Sequence, residues 1–426
     1  MIGKFVQFGA GNIGRSFIGR LFVEAGFETT FVDVDEGLVS LIERRRSYRV
    51  VVKRNGAADK LIEVGPVRAV NGRDRDAVSA VLREADYAAT SVGQAALPAV
   101  IASMLPALLQ RRNCGSPPLD IIIAENIRSG AAFFRAEILK GAGLASDGDE
   151  AAPPGGEAAL PGGGPARAAF RAPAEGDARV EGLAGLIETS IGKMVPIMPR
   201  SALGEDPLLL FAEAYDTLIV DAKGFRGALP PLAGLKAVED IGAYVDRKLF
   251  IHNMGHAASA YLGYRADPSS TYIWQALELP GVGESVRRAM LQSAAALHAA
   301  YPKAFTLAEL EAHAEDLLER FANRALGDTL HRVGRDLRRK LARDDRLVGA
   351  CLLAASRKLP CDAIAEATRA AFAFSAPDEG GKLFSADQVF HEAFGYEIGE
   401  MALREVCGLD PADRLDGLVI EAIRGA

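Results

Sequence analysis

Three side chains in the second half of the chain have the types and spacing to run proton chemistry at an oxygen. Residues 244–263 read YVDRKLFIHNMGHAASAYLG and carry Lys248, Asn253 and His256 in the pattern K-x4-N-x2-H. On a regular helix turning by about 100° per residue they fall at roughly 0°, 140° and 80°, inside one wide face. Such a set suits the interconversion of a carbinol and a carbonyl: one group exchanges the hydroxyl proton, a second polarises the oxygen and a third orients the substrate. The spacing alone equally fits a solvated helical face with incidental polar residues, because His252 shares the arc at about 40°. His252 and His256 also stand at i and i+4, but Asn253 occupies the glutamate position of H-E-x-x-H. No other histidine has ligand-like spacing, so no metal is expected.

A second motif opens the chain. Phe8-Gly9-Ala10-Gly11-Asn12-Ile13-Gly14 is a G-x-G-x-x-G between a strand-like run at 4–8 and an amphipathic helical pattern at 12–26. There Gly9 makes the tight turn, Gly11 leaves room for a pyrophosphate and Gly14 allows the helix to pack on the strand. The free N–H groups of the turn, from Ala10 through Asn12 and Ile13, and the positive end of the helix favour the phosphates. The next strand-like run, 29–34, contains Asp33, 19 residues after Gly14. A carboxylate there accepts from ribose hydroxyls and repels a 2′-phosphate. Its neighbours are Val34 and Asp35, with no Arg or Lys beside it, so the cofactor expected is NAD. Val92 and Gly93, where the run at 87–92 ends, are further candidate cofactor positions.

The elements that must position these groups follow from the hydrophobic pattern. Short apolar runs at 4–8, 29–34, 87–92 and 119–124 (LDIIIA) alternate with helical stretches, which predicts an α/β fold with a doubly wound, Rossmann-type parallel sheet covered on both faces. Between 48 and 64, two β-branched runs flank Arg54-Asn55-Gly56, a hairpin signal. A further strand is expected over 208–221. From Val238 to the end the pattern is overwhelmingly helical. The expected organisation is an NAD-binding domain over 1–195, then a mainly helical substrate-binding and catalytic domain over 196–426. Residues 141–180 hold 14 glycines and prolines and a dozen alanines, the composition of a flexible surface insertion.

Composition narrows the partners. The chain has 426 residues, 49% hydrophobic and 25% charged, with a formal charge of −7 and a pI of about 5.6. That acidic balance argues against nucleic acid and anionic lipid as partners. The four cysteines are scattered and include no C-x-x-C pair. They read as reduced thiols, and with no long apolar span or leader-like start the expected location is cytoplasmic. No long heptad pattern points to an oligomer, so a monomer is expected.

The segment Lys248-Leu-Phe-Ile-His-Asn253-Met-Gly-His256, with the following Ala-Tyr261-Leu-Gly263, resembles the signature of the polyol-specific long-chain dehydrogenases, the mannitol dehydrogenase family. The opening FGAGNIGRSFIG, Ala124-Glu125-Asn126, Phe225-Arg-Gly-Ala-Leu-Pro230 and Arg332-Val-Gly-Arg335 resemble it in the same order, over nearly the whole chain apart from 141–180. The resemblance implies metal-independent, NAD-dependent interconversion of mannitol 1-phosphate and fructose 6-phosphate. It makes Lys248 the acid/base, Asn126 and Asn253 the stabilisers of the alkoxide, and His256 a partner of substrate hydroxyls. It also makes Arg332 and Lys340 basic substrate contacts. A lysine acting as base must be neutral, so its pKa has to lie well below the ordinary value of about 10.4. The stretch around Lys340 is cationic, with Arg335, Arg338, Arg339 and Arg343. Arg335 and Arg339 are candidate phosphate contacts, because guanidinium donors pair with two oxygens at once. Where the family carries V-D-R-I-x-P, this chain has Ile191-Gly192-Lys193-Met194-Val195-Pro196, which bears on substrate preference. The alternatives are mannitol, tagaturonate or fructuronate as substrate, or an NAD-responsive regulator without turnover.

Overall fold

The computed structural model describes residues 1–143, 179–196, 204 and 206–425. The anticipated insertion at 141–180 lies outside the described residues except for its first three and last two positions. The chain divides into two compact units at Ile241 and Gly242.

The first unit is built on an eight-stranded sheet. Its strands are β1 (Lys4–Phe8), β2 (Glu28–Asp33), β5 (Val67–Asn71), β6 (Tyr87–Thr90), β7 (Leu119–Ile123), β8 (Ala184–Ser190), β10 (Leu218–Asp221) and β11 (Leu235–Val238). In space they run β11-β10-β8-β7-β6-β1-β2-β5, parallel throughout except where β10 meets β8. Alternation along each strand fills both faces. In β7, Ile121 and Ile123 join Val6, Phe8, Leu82, Met104 and Phe134 on one side. Ile122 joins Phe5, Phe17, Phe22 and Leu218 on the other. Each such side chain contributes roughly 1.5–3 kcal/mol by burial. The helices Arg75–Arg83, Leu97–Asn113 and Gly130–Gly141 supply the first of these layers.

The predicted hairpin forms: β3 (Tyr48–Lys53) and β4 (Lys60–Val64) pair antiparallel with Tyr48 opposite Val64. They build a separate three-stranded sheet with β9 (Leu210–Glu213). The single strand expected over 208–221 is therefore two, β9 and β10, in different sheets. The break between them is held by the Lys193 ammonium, which donates to the carbonyl of Tyr215 at 2.6 Å and to Asp216 at 2.8 Å. The division expected at 195/196 falls instead after Ile241, because β10 and β11 extend the main sheet.

The first helical stretch also departs from the amphipathic pattern. It opens as a π-helical turn, Gly14–Gly19, continues as α1 (Arg20–Glu24), and is buried from Gly14 through Phe22. Its charges are satisfied internally: Arg15 donates to the carbonyls of Ala10 at 2.6 Å and Leu208 at 3.0 Å.

The second unit is helical. The helix Met254–Ala266 is almost wholly buried and packs against Val282–Ala300, Ile273–Glu278 and Asp362–Phe372. Small residues bring the axes close: a Cβ on Gly255 would lie 2.5 Å from Met290 Sδ, and Gly263 lies against Ala276. The helix Leu307–Phe321 starts with a capping box between Thr306 and Glu309.

Candidate active site

The strand order reverses beside β1: β2 and β5 lie on one side, β6 and the later strands on the other. Loops at the carboxyl ends of strands beside such a reversal form the usual nucleotide crevice of open α/β sheets. Three of the predicted groups sit on those loops. The turn Gly9–Gly14 follows β1, Val92 and Gly93 follow β6, and Asn126, exposed, follows β7. Gly9 has φ +88°, and a Cβ there would lie 2.5 Å from Ser91 O; a Cβ on Gly14 would strike the Gly9 carbonyl. A Cβ on Gly11 would meet nothing within 4 Å. The turn is thus closed on the protein side and open above Gly11, which fits a dinucleotide pyrophosphate.

Asp33 is tied to this turn. Its Oδ2 accepts from Ala10 N at 2.7 Å and its Oδ1 from Asp35 N at 3.0 Å. A carboxylate has about four lone-pair sites, so capacity remains for ribose hydroxyls. Glu125 clasps the neighbouring loop, accepting from Val92 N at 2.8 Å and Gly93 N at 3.0 Å. Burial pushes the Glu125 carboxyl up, against the pull of those two N–H groups.

The second unit gathers Lys248, Asn253 and His256 at the start of its central helix. The stretch Lys248–Asn253 is π-helical, not the regular helix that the angular positions assume. Ser293 Oγ donates to the Phe250 carbonyl inside it at 2.7 Å. Insertions of this kind are frequent at functional sites. Lys248 is half-buried, and burial, reinforced by the nearby Arg346 charge, lowers its pKa from 10.5 to about 8. Arg346 is itself held by Asp345, with Nε 2.6 Å from Oδ1. The His256 ring stacks on Phe321 at 4.7 Å and 9°, and its Nε2 lies 3.3 Å from Asp328 Oδ2. His252 is buried against the same Phe321. Burial, then Arg320, His256, Lys248 and His313, push its pKa well below the ordinary histidine value, so it is neutral.

The basic positions farther along are placed by two contacts. Tyr261 donates from the central helix to the Gly334 carbonyl at 2.8 Å. Asp387 accepts from Asp336 N and Leu337 N, the latter at 2.8 Å. Arg332 pairs with Asp328. Lys340 is buried and donates to the Val333 carbonyl. Burial and the Arg346 and Arg339 charges push its ammonium well below the usual range. Arg346 therefore lies within electrostatic reach of both Lys248 and Lys340. Among the described residues no group of three or more His, Cys, Asp or Glu could hold a metal ion.

Family models match both units: the mannitol dehydrogenase Rossmann domain over residues 3–234 and the mannitol dehydrogenase C-terminal domain over residues 240–398. The chain belongs to the mannitol dehydrogenase family. Within that family it is 30% identical to mannitol-1-phosphate 5-dehydrogenase of Brevibacillus brevis, covering 98% of this chain and 97% of that one. It is likewise 30% identical to the Bacillus subtilis enzyme of the same name, covering 98% and 99%. Among solved structures, Pseudomonas fluorescens mannitol 2-dehydrogenase in ternary complex with NAD and D-mannitol aligns with a TM-score of 0.71 at 14% identity, over 99% of this chain and 91% of that one. At that identity the likeness is one of fold.

Three positions, Lys193, Arg339 and Arg343, behave differently from a reading of charge alone. Lys193, in the departing Gly192-Lys193 segment, is buried. Besides Tyr215 and Asp216, it donates to the Glu213 carbonyl at 3.0 Å and lies 5.0 Å from the Phe17 ring centre. Its charge is spent inside the first unit. Arg339 is engaged by Asp336 and by Asp345 at 3.3 Å. Arg335 is exposed, lies over the Phe384 ring at 5.2 Å and has no carboxylate partner among the described residues. Arg343 forks onto the buried Asp416 at 2.7 and 2.8 Å, a structural clasp. Glu125, Phe321, Asp328 and Arg346 carry no motif spacing. Only Glu125, inside the Ala124-Glu125-Asn126 segment, was marked by the sequence at all.

Proposed function

We propose that the chain interconverts mannitol 1-phosphate and fructose 6-phosphate, with NAD held by the Gly9–Gly14 turn and Asp33. The observation that carries this reading is the half-buried Lys248 amine, whose pKa of about 8 leaves it able to take and return a proton near neutrality. Bound NAD supplies the hydride acceptor for oxidation and the donor for reduction. In oxidation, Lys248 Nζ takes the hydroxyl proton as the carbinol C–H bond breaks with its electron pair and the carbonyl forms. In reduction, the ammonium of Lys248 returns that proton to the oxygen. Asn253 donates to the developing alkoxide, the family resemblance gives Asn126 the same role, and His256 orients the polyol hydroxyls. Arg332 and Lys340 are the basic substrate contacts, and Arg335, exposed and with no carboxylate partner among the described residues, is the guanidinium assigned to a phosphate.

Asp33 favours NAD over NADP, since its carboxylate repels a 2′-phosphate. The reading also includes a monomer working in the cytoplasm; among the described residues no helix is long and apolar enough to cross a membrane. A second reading, an unphosphorylated polyol as substrate, is favoured by the occupied donors of Lys193 and Arg339. NADH oxidation with fructose 6-phosphate, set against fructose, decides between them. Preference for the phosphate by about tenfold or more in kcat/KM supports the first reading; equal or better use of fructose refutes it.

A further inference from the structure

The two groups that meet the substrate from different parts of the second unit, His256 and Arg332, share one carboxylate. Asp328 Oδ2 lies 3.3 Å from His256 Nε2, and Oδ1 takes the Arg332 guanidinium. We infer that Asp328 is a positioning residue of the substrate site, fixing the imidazole of His256 and the guanidinium of Arg332 relative to each other. The inference rests on the polyol dehydrogenase reading above.

Several contacts show that this carboxylate is built in. Asp328 is only 5% exposed. Its backbone is clamped: Ile273 N donates to the Asp328 carbonyl at 2.9 Å, Leu330 N donates to the Thr271 carbonyl at 2.8 Å, and Tyr272 forms a β-bridge with Thr329. Thr329 Oγ1 accepts from Arg332 N at 3.2 Å, starting the short helix that carries Arg332. Burial alone would raise the Asp328 carboxyl, but His256 and Arg332 more than offset it and hold it below the usual range. It is therefore an anion in the folded protein, and an unpaired buried anion would be strongly unfavourable.

On the imidazole side, Phe321 fixes the ring plane by stacking, which leaves the half-turn flip about the Cβ–Cγ bond to be set. Nε2 is sealed from solvent and makes no well-aligned hydrogen bond. The carboxylate at 3.3 Å therefore holds it by charge and near contact, an arrangement common in substrate-free sites. With Nε2 turned to Asp328, Nδ1 is the nitrogen left for a substrate hydroxyl. Arg332 is the more exposed partner, with 40% of its side chain open while its guanidinium is paired with Asp328.

The test is steady-state kinetics of Asp328→Asn and Asp328→Glu, using whichever of fructose 6-phosphate and fructose the wild type reduces. Asp328→Asn keeps the shape and removes the charge. It is expected to raise the sugar KM by about tenfold to a hundredfold, the size of effect a misplaced contact group produces, with the NADH KM unchanged. Asp328→Glu restores the anion and recovers part of the loss. In a cycle with His256→Ala, the two losses are strongly non-additive, because the imidazole is what Asp328 holds. A merely structural carboxylate would instead lower stability and move both KM values together. An unchanged sugar KM in Asp328→Asn, or additive losses in the cycle, overturns the inference while leaving the proposed reaction standing. A wild type that reduces neither sugar overturns both. If Asp328→Asn does not fold, the Asp328→Glu and His256→Ala pair completes the same cycle, with additivity again overturning the inference.

Discussion

Replacing Arg346 with methionine removes a positive charge that acts with burial on the Lys248 amine, and the size of the effect follows from the two causes. The pKa falls from 10.5 to about 8, with burial the larger cause and Arg346 the second. At pH 7 this leaves roughly a tenth of the amine neutral, against about one part in three thousand for an ordinary lysine. Because Arg346 accounts for the smaller part, its removal moves the midpoint up by at most about one unit. Oxidation of mannitol 1-phosphate needs the neutral amine, so kcat/KM in that direction rises with pH through about 8 in the wild type and through a higher midpoint in Arg346→Met. Near pH 7 the variant should lose up to about tenfold, and near pH 10 it should equal the wild type. Reduction of fructose 6-phosphate needs the ammonium, so its fall at alkaline pH moves up by the same amount. The assay is initial rates of NADH formation and consumption from about pH 6 to about pH 10. An unshifted midpoint, or a loss equal at every pH in both directions, refutes the electrostatic argument; the second pattern marks packing damage around Asp345.

Two further outcomes follow from the same site. Holding Lys248 at a pKa of about 8 destabilises the fold at neutral pH by up to about 3 kcal/mol. Below pH 8 both states are protonated and this cost is fully present; between about 8 and 10.5 only the unfolded chain keeps the proton, so stability rises with pH. Thermal melts should therefore show Lys248→Met more stable than wild type at pH 7 by a few degrees, with the gap closing toward pH 10; a gap constant with pH contradicts this. Arg335→Ala should raise the KM for fructose 6-phosphate much more than that for fructose, while Arg339→Ala, whose guanidinium is tied to Asp336 and Asp345, raises both alike. Equal effects of Arg335→Ala on the two sugars remove it as the phosphate contact.

Much of the first unit was legible in the sequence because its signals are local. Runs such as Leu119–Ile123 are buried on both faces, and Gly9 and Gly14 are demanded by backbone geometry within one turn. The hairpin at Asn55-Gly56 was equally plain. The errors came where distant groups decide. Nothing near 208–221 announces that the Lys193 ammonium splits the run into β9 and β10. The 12–26 stretch has an amphipathic pattern, yet its Arg15 and Arg20 are both buried and paired. The site divides in the same way. Lys248, Asn253 and His256 lie within nine residues and carry a spacing, while Asp328 and Arg346 act on them from other parts of the second unit and carry none. Even the spacing misled in detail, since the π turn at Lys248–Asn253 replaces the regular helix that those angles assume.

All of this turns on Lys248 being the acid/base of a polyol dehydrogenase. Turnover by Lys248→Met, measured together with NADH binding, puts that assignment at risk in one experiment. Fructose 6-phosphate reduction is expected to fall by about a thousandfold or more, while NADH binding, followed by its fluorescence, is unchanged because the cofactor turn lies in the other unit. Turnover within about tenfold of the wild type would contradict the assignment.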